Sequence, residues 1–286
     1  MTVLETIQKS AEFLTKRGVE SPRLQAELLC AHLLKMPRMK LYLNFERPLT
    51  SQETEIIRQW IKRRGQREPL QHIIGSISFC GFEIAVDRRA LVPRPETEIL
   101  AELGWSFLSS LTAKPSTALD VGTGTGCIAI AIAAKCPDAR IMATDLSTDA
   151  LALAGENAAK NNVAGRIEFF HGNAFAALPP GSQFDLIISN PPYISTAEIE
   201  TLQPEVRDFD PRAALDGGAD GLDFYRLFAA QAKLLLKPGG KMMLEFGDGQ
   251  AAAIQNIFEQ QNWIVEAIKD DYSQRARILI ASWKVS

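Results

Sequence analysis

The chain has 286 residues, 46% of them hydrophobic and 23% charged, with a formal net charge of −3. This composition is ordinary for a globular protein and excludes a disordered, collagen-like or disulfide-scaffold chain. The longest small-apolar run, Cys127 to Ala134, is far short of the roughly 20 residues of a membrane span. The opening MTVLETIQKS lacks the apolar core expected of a secretory signal. The length exceeds a typical domain of roughly 100–200 residues, so one large domain and a smaller one are expected.

Charge is unevenly divided. Residues 1–75 hold 13 Lys and Arg against 8 Glu and no Asp, a net of +5, and the remainder carries −8. The basic front reads either as a docking surface for an acidic partner or as ordinary solvated helix faces. Strong non-specific DNA binding is disfavoured, because it needs a concentrated phosphate-neutralising surface. Cys30, Cys80, Cys127 and Cys136 form no CxxC pair, and His32, His72 and His171 are scattered. No metal site or disulfide framework is expected, and a reducing cytoplasm is the default location.

In chain order, Thr2 and Glu5 form a possible capping box ahead of Leu4, Ile7, Ala11 and Leu14 at helical spacing. Ser21-Pro22 supplies an N-cap and a first-turn proline to a second helix whose stripe is Leu24, Leu28, Ala31 and Leu34. A third helix opens at Thr50-Ser-Gln-Glu53 and ends in Lys62-Arg-Arg-Gly65, with cations at the negative dipole end and a terminal glycine. Alternation from Ile77 to Asp87 about Cys80-Gly81 predicts a β-hairpin. The expected division is a helical domain at 1–75, a hairpin linker at 76–92 and a catalytic domain at 93–286.

From Thr117 the pattern alternates between strand and helix. Strands are predicted at 117–121, 140–144, 166–170, 184–189, 241–246, 263–268 and 277–282. The intervening helices fall at 127–135, after Ser147, at 222–236 and at 250–261. This is the signature of a mostly parallel α/β sheet covered on both faces.

Two segments carry chemistry. Asp120-Val-Gly122-Thr123-Gly124-Thr-Gly126 ends a strand and opens a helix, and Asp145 stands at the tip of the next strand. The glycines let a ligand approach the backbone, and a carboxylate at the second strand tip can accept both hydrogen bonds of a ribose diol. The spacing is G-x-G-x-G, not the G-x-G-x-x-G of a dinucleotide site, and Asp120 would repel a pyrophosphate. A cationic ligand such as S-adenosylmethionine suits the loop; the plain alternative is a structural glycine turn. The strand 184–189 then runs into Asn190-Pro191-Pro192-Tyr193, a stiff loop at the carboxyl edge where α/β folds bind ligands. The Asn190 side-chain carbonyl and the Pro191 main-chain carbonyl can each accept a hydrogen bond from a planar NH2 group, and Tyr193 can stack on it. The alternative is a proline turn that happens to follow a strand.

With these segments, Arg67-Glu-Pro-Leu-Gln-His-Ile-Ile-Gly75, Leu91-Val-Pro-Arg-Pro-Glu-Thr-Glu98 and Ala214-Leu-Asp-Gly-Gly-Ala-Asp-Gly-Leu-Asp-Phe-Tyr-Arg226 make the chain resemble the PrmC/HemK protein-(glutamine-N5) methyltransferases. The resemblance implies a class I S-adenosylmethionine-dependent methyltransferase fold, Rossmann-like, with a seven-stranded sheet bearing one antiparallel strand near its edge. A helical substrate-recognition domain would precede it. It implies methyl transfer from S-adenosyl-L-methionine, leaving S-adenosyl-L-homocysteine, to the glutamine of the Gly-Gly-Gln motif in class-1 peptide chain release factors. Gly122, Thr123, Gly124 and Gly126 would cradle the methionine part of the cofactor and Asp145 the ribose. Asp120, Leu146, Asn173, Ala174 and Asn190 complete the cofactor set. Asn190, Pro191 and Tyr193 would be catalytic. Arg94, Pro95, Glu98 and Pro192 would join them in holding the substrate, although Arg94 could equally pair with Glu96 or Glu98.

The chain departs from the family pattern in having His171-Gly-Asn173 where Asp is common, and Glu245-Phe-Gly-Asp248 in place of Glu-Ile-Gly-Tyr. Asp216, Asp220 and Asp223 lack a calcium-type loop and read as caps or surface groups. Competing functions are a ribosomal-protein glutamine methyltransferase, a DNA or RNA amino-methyltransferase, and a cofactor-binding protein without transfer activity. A monomer with no stable nucleic-acid or membrane partner is expected.

Overall fold

A computed structural model of the chain describes residues 1–283; the last three positions of the expected catalytic span lie outside them. Contacts divide the chain into two compact units, Met1–Ser76 with Gln203–Phe209, and Ile77–Leu202 with the residues from Asp210 onward.

The first unit is helical: α1 (Val3–Lys16), α2 (Pro22–Leu33), α3 (Arg38–Leu41), α4 (Ser51–Gly65) and α5 (Leu70–Ile74). Both capping boxes form, Thr2 with Glu5 and Thr50 with Glu53. Val3, Ile7, Leu14, Leu29, Ile57 and Ile61 build its core. Three details differ from the sequence reading. Ser21 holds the N-cap position at φ 48° and its hydroxyl makes no capping bond. Next, α2 buries Ala26, Leu29, Cys30 and Ala31 while Leu24 is exposed. The helix is turned so that buried Glu27 meets Arg23 at 3.1 Å, Arg38 at 3.0 Å and the Tyr42 hydroxyl at 3.3 Å. A buried carboxylate needs such partners, and apolar periodicity does not register them. Finally, Gly65 is the last helical residue, not a left-handed cap. A Cβ there would lie 2.4 Å from the Phe13 ring, so close packing requires the glycine.

Arg63, Arg64 and Arg67, three cations of the basic front, are engaged within this unit. Arg63 pairs with Glu68 at 2.6 Å. Arg64, 3% exposed, and Arg67 both grip Glu205, at 2.6 and 2.5 Å. Burial raises the Glu205 carboxyl, but hydrogen bonds from Arg67 and Arg64 outweigh it and hold the group below its ordinary value of 4.5. The charged clamp therefore stabilises the fold above that pH, and its contribution is lost as pH falls below it. We expect Glu205→Gln to lower stability at pH 7 by about 2–3 kcal/mol, since two guanidinium groups lose a charge-assisted acceptor. The difference from wild type should shrink in denaturant melts at pH 4.

The second unit begins with the predicted hairpin, β1 (Ser76–Phe79) and β2 (Phe82–Ala85), turning at Cys80-Gly81. Then follow α6 (Pro95–Ser110), β3 (Thr117–Val121), α7 (Cys127–Lys135), β4 (Arg140–Asp145), α8 (Thr148–Lys160), β5 (Ile167–His171) and β6 (Phe184–Ser189). After α9 (Pro204–Arg207), in the segment that belongs to the helical unit, come α10 (Asp223–Gln231), β7 (Leu236–Glu245), α11 (Ala251–Gln260), β8 (Trp263–Asp270) and β9 (Ala276–Trp283). The strand order is β5-β4-β3-β6-β7-β9-β8, with β9 antiparallel to both neighbours and one place from the edge. This is the expected seven-stranded sheet. One apolar cluster, including Leu100, Ile128, Ile132, Ile141 and Ile188, and a second, including Leu119, Ile187, Tyr225, Phe228, Phe246 and Phe258, supply its core.

Sequence patterning did not assign α6, although Pro95 at its first turn with Glu96 and Glu98 is a helix start. Gly104 lets it lie close on the sheet, since a Cβ there would meet Ile188 at 2.9 Å. The predicted helix at 222–236 ends at Gln231, and β7 begins at Leu236, five residues ahead of the predicted strand.

Candidate functional site

The parallel strands β3, β4, β5 and β6 end together, and the loops that follow them wall a cavity of about 370 Å³ at the carboxyl edge of the sheet. That volume falls within the usual range for small-molecule sites.

Its floor is the glycine loop. Gly122, Gly124 and Gly126 take φ of 69°, 56° and 80°, the left-handed region that glycine alone enters without strain. A Cβ on Gly122 would meet no protein atom within 4 Å, whereas one on Gly126 would press on Ala154 at 3.1 Å. The first glycine therefore leaves space for a ligand, and the last lets α7 approach α8. The backbone amides of Gly122 and Thr123 both donate to the Thr144 carbonyl, at 2.8 and 3.0 Å.

Asp120 lies behind this loop. Its Oδ2 accepts from the Thr123 hydroxyl at 2.7 Å and from the Ala129 amide at 3.2 Å, tying the loop to the first turn of α7. Its Oδ1 is buried without a hydrogen-bond partner. Burial pushes this carboxyl up to about 7 against the Thr123 and Ala129 hydrogen bonds, and Asp145 adds to the rise. Asp145, at the end of β4, accepts from the Gly124 amide at 2.8 Å through Oδ2 and from the Ser147 amide at 2.9 Å through Oδ1. Both oxygens keep lone pairs for a ligand.

The acceptor loop stands across the same cavity. Ser189 ends β6 with its buried hydroxyl donating to the Val121 carbonyl at 2.6 Å, fastening the two strand ends. Asn190 Nδ2 donates to Thr97 Oγ1 on α6 at 3.0 Å. The following residues run beside Leu215–Gly218: Ile194 N donates to Leu215 O, Gly217 N to Ile194 O and Thr196 N to Gly218 O. Gln250 Nε2 donates to the Tyr193 carbonyl at 2.9 Å, and Gln250 Oε1 accepts from Gly247. Here glycine is required by close approach. A Cβ on Gly221, at φ 75°, would lie 2.3 Å from the Tyr193 carbonyl oxygen. We expect Gly221→Ala to destabilise the fold by about 2–3 kcal/mol through strain and overlap together, read as a fall in thermal midpoint.

Of the residues singled out from sequence, Gly122, Gly124, Asp145, Leu146, Asn173, Ala174, Asn190, Pro191 and Pro192 line the cavity. Leu146 is 62% exposed, an apolar group held open beside it. Asp120, Thr123 and Gly126 support the loop from behind. The Tyr193 ring packs against Gly247, where a Cβ would lie 3.0 Å from it, and burial pushes its hydroxyl up to about 12. Arg94 pairs not with Glu96 or Glu98 but with Asp210, at 3.0 Å. Glu98 accepts from the Cys80 amide at 2.9 Å, and Pro95 starts α6. Asp216 accepts from Thr196 and the Gly218 amide, while Asp220 and Asp223 both pair with Arg226. Among the described residues, no group of three or more His, Cys, Asp or Glu is placed to hold a metal. Sequence reasoning missed Phe224, Phe228 and Pro211, which give the cavity an apolar wall. The i, i+4 spacing of the two phenylalanines was the available signal.

Comparison with known proteins decides the family. A family model described as the PrmC N-terminal domain matches residues 5–75, and one described as the methyltransferase small domain matches 104–204. The chain is 44% identical to a release factor glutamine methyltransferase of Geobacter sulfurreducens over 91% of its own length and 89% of that protein. The chain belongs to the release factor glutamine methyltransferase family. A second member, from Chlorobaculum tepidum, is 40% identical over 94% of this chain and 93% of its own. Membership in a methyltransferase family implies S-adenosylmethionine as methyl donor. A solved methyltransferase structure from Pyrococcus furiosus, 22% identical with a TM-score of 0.51, covers 70% of this chain and 88% of its own and shows the shared fold. Within this family chain, the unusual Glu245-Phe-Gly-Asp248 segment places Phe246 in the core, Gly247 under Tyr193 and Asp248 3.3 Å from Arg275.

Proposed function

We propose that the chain transfers a methyl group from S-adenosylmethionine to the side-chain amide nitrogen of the glutamine in the Gly-Gly-Gln motif of class-1 peptide chain release factors. The observation that carries this reading is that Asn190-Pro191 and the Gly122–Asp145 apparatus wall one continuous cavity. A planar NH2 group and a methyl donor can meet there without passing through solvent.

The residues present suit the donor. Gly122 leaves room for it, the Asp145 oxygens retain lone pairs at the strand tip, and Asp120 keeps one buried acceptor atom unpartnered behind the loop. Leu146 and the phenylalanine wall offer apolar contact to an aromatic base. When bound, S-adenosylmethionine supplies an electrophilic methyl carried on its sulfonium.

The chain's own residues then position and polarise the acceptor. A carboxamide nitrogen is a poor nucleophile because its lone pair is delocalised into the carbonyl. Asn190 Oδ1 and the Pro191 carbonyl accept its two N–H bonds, drawing positive charge from the nitrogen as it becomes tetrahedral. Pro191 and Pro192 hold both acceptors on a backbone that cannot relax into strand or helix. No base is needed on the chain: the alkylated nitrogen is acidic and releases its proton to water after transfer. Positioning is therefore the main contribution. The acidic balance of residues 76–286 disfavours the nucleic-acid alternative, whose substrate is a phosphate polymer.

We further assign this activity to a cytoplasmic monomer. Free cysteines, three of them buried, suit a reducing compartment, and no helix among the described residues is long and apolar enough to cross a membrane. The test is mass spectrometry of a release factor after incubation with the chain and S-adenosylmethionine. One added methyl on the Gly-Gly-Gln glutamine is expected, and methylation of duplex DNA in its place would overturn the reading.

A further inference from the structure

Glu245 ends β7 directly beneath the acceptor loop. It is 2% exposed, and its Oε2 has no hydrogen-bond partner. Two side chains of the site face its carboxyl, Thr97 from α6 and Asn190 from the acceptor loop. These two are themselves joined, Asn190 Nδ2 donating to Thr97 Oγ1 at 3.0 Å. The other ionisable groups facing Glu245 are Glu96 on α6, Arg277 on β9, Tyr193 and Tyr225. Arg277 is engaged elsewhere, with Asp271 at 3.1 Å and the Phe246 carbonyl at 3.4 Å. The Tyr225 hydroxyl donates to the Glu245 main-chain carbonyl at 2.8 Å, not to its side chain.

A hydroxyl has one proton and two acceptor lone pairs, and an ionised carboxylate only accepts. With Thr97 Oγ1 already accepting from Asn190, its single proton is available to the carboxylate it faces. The resulting chain has one polarity, from the Asn190 NH2 to the Thr97 hydroxyl to the Glu245 carboxylate. We propose that Glu245 is a positioning residue for methyl transfer. Through Thr97 it holds the Asn190 amide with Nδ2 inward, leaving Oδ1 as the end presented to the substrate nitrogen. This rests on the transfer reading above and adds what sets the orientation of its central side chain. An asparagine turned over would present an NH2 to the substrate NH2, donor against donor, and the acceptor would be lost.

The carboxyl also makes the orientation dependent on pH. Burial pushes Glu245 up to about 7, Thr97 opposes the rise, and Glu96 adds to it. A protonated Glu245 can donate to Thr97, whose own proton then turns toward the amide and favours Asn190 Oδ1 inward. The sign is thus fixed: turnover falls as pH drops through about 7 and recovers above it. Asp120 and Asp210 are also raised, to about 7 and about 6, so an acid limb in the wild-type profile does not by itself identify Glu245.

Variants and a spectroscopic probe identify it. In the full-length chain with a release factor and S-adenosylmethionine, Glu245→Gln should hold kcat low at every pH between about 6 and 8.5, without the acid limb. Thr97→Val should do the same, and Thr97→Ser should restore both rate and limb. The loss in kcat at pH 8 should be about 10- to 100-fold, the scale of a misplaced reacting group. The release-factor KM and the S-adenosylmethionine Kd should stay within about twofold, because only orientation has changed. In 15N-labelled protein without substrate, the Asn190 side-chain amide pair should titrate near pH 7 in wild type and Thr97→Ser, but not in Thr97→Val or Glu245→Gln. Wild-type kcat in Glu245→Gln, an acid limb that survives in it, or an Asn190 amide that does not titrate in wild type overturns the proposal. Should Glu245→Gln fail to fold, the Thr97 pair and the wild-type titration decide alone. Should wild type transfer no methyl at all, the functional reading fails, while the Asn190 resonances still test the relay.

Discussion

Replacing Asn190 with alanine should cut turnover on a release factor by about 1,000-fold while calorimetry still detects S-adenosylmethionine binding. The substitution removes the Oδ1 acceptor and leaves Asp145, Gly122 and the phenylalanine wall in place, all of them on other elements. Losing one preorganised hydrogen-bonding group at a developing charge costs about 100- to 1,000-fold in kcat, or about 3–4 kcal/mol of barrier. Here the loss should lie at the upper end, because Pro191 offers a main-chain carbonyl but no second group that fixes the amide plane. Stability should fall modestly. The Asn190–Thr97 hydrogen bond disappears, and the Thr97 hydroxyl can still donate toward Glu245, so about 1 kcal/mol is expected. Single-turnover kinetics on pre-bound cofactor is the deciding measurement. An Asn190→Ala protein that methylates at the wild-type rate would remove the side chain from the mechanism and leave Pro191 as the whole of the acceptor grip.

The residues in that argument were not equally visible in the sequence. The glycine loop, Asp145 and Asn190–Pro192 are local features, set by strand ends and by residues that interrupt regular structure, and local patterns survive in one dimension. Thr97 and Glu245 were not legible as site residues. Their relation to Asn190 exists only because α6 and the end of β7 converge beneath the acceptor loop, across 93 residues in the case of Thr97. Arg94 illustrates the same limit. Glu96 and Glu98 were the near candidates, but Asp210, 116 residues away, is the partner. The Gly217–Gly221 stretch was recognised as a motif, but its use is steric: Gly217 and Gly221 let the main chain of Pro192 and Tyr193 pass against them. Charge counting was the least informative signal. It counted Glu68 without showing that it pairs with Arg63, and it left out Glu205, which lies beyond residue 75 and pairs with Arg64 and Arg67.

Asp145→Ala should produce the opposite separation, loss of cofactor affinity with the acceptor loop intact. The Asp145 carboxylate is oriented by two backbone amides, Gly124 N at 2.8 Å and Ser147 N at 2.9 Å, one from each of the loops it joins. That double tether means its remaining lone pairs are already aimed before a ligand arrives, so little ordering entropy is lost on binding. Two hydrogen bonds from ribose hydroxyls to a carboxylate, each worth about 1.5–3 kcal/mol, imply a rise in Kd of at least about 100-fold when they are lost. Some of that rise belongs to the loop itself, because Gly124 N loses its acceptor and the glycine turn is freer. Asp145→Asn separates the two contributions. It is isosteric and keeps one accepting oxygen, but its NH2 must face either an amide N–H or a ribose hydroxyl, so affinity should fall less than in the alanine variant. Titration of both variants with S-adenosyl-L-homocysteine reads binding without chemistry, and thermal melts report any loosening of the glycine loop. A dissociation constant unchanged in Asp145→Ala would detach the carboxylate from the ribose and leave it as a brace between β4 and the glycine loop. A large loss of affinity together with a near-wild-type melt would show that the brace also holds the ligand.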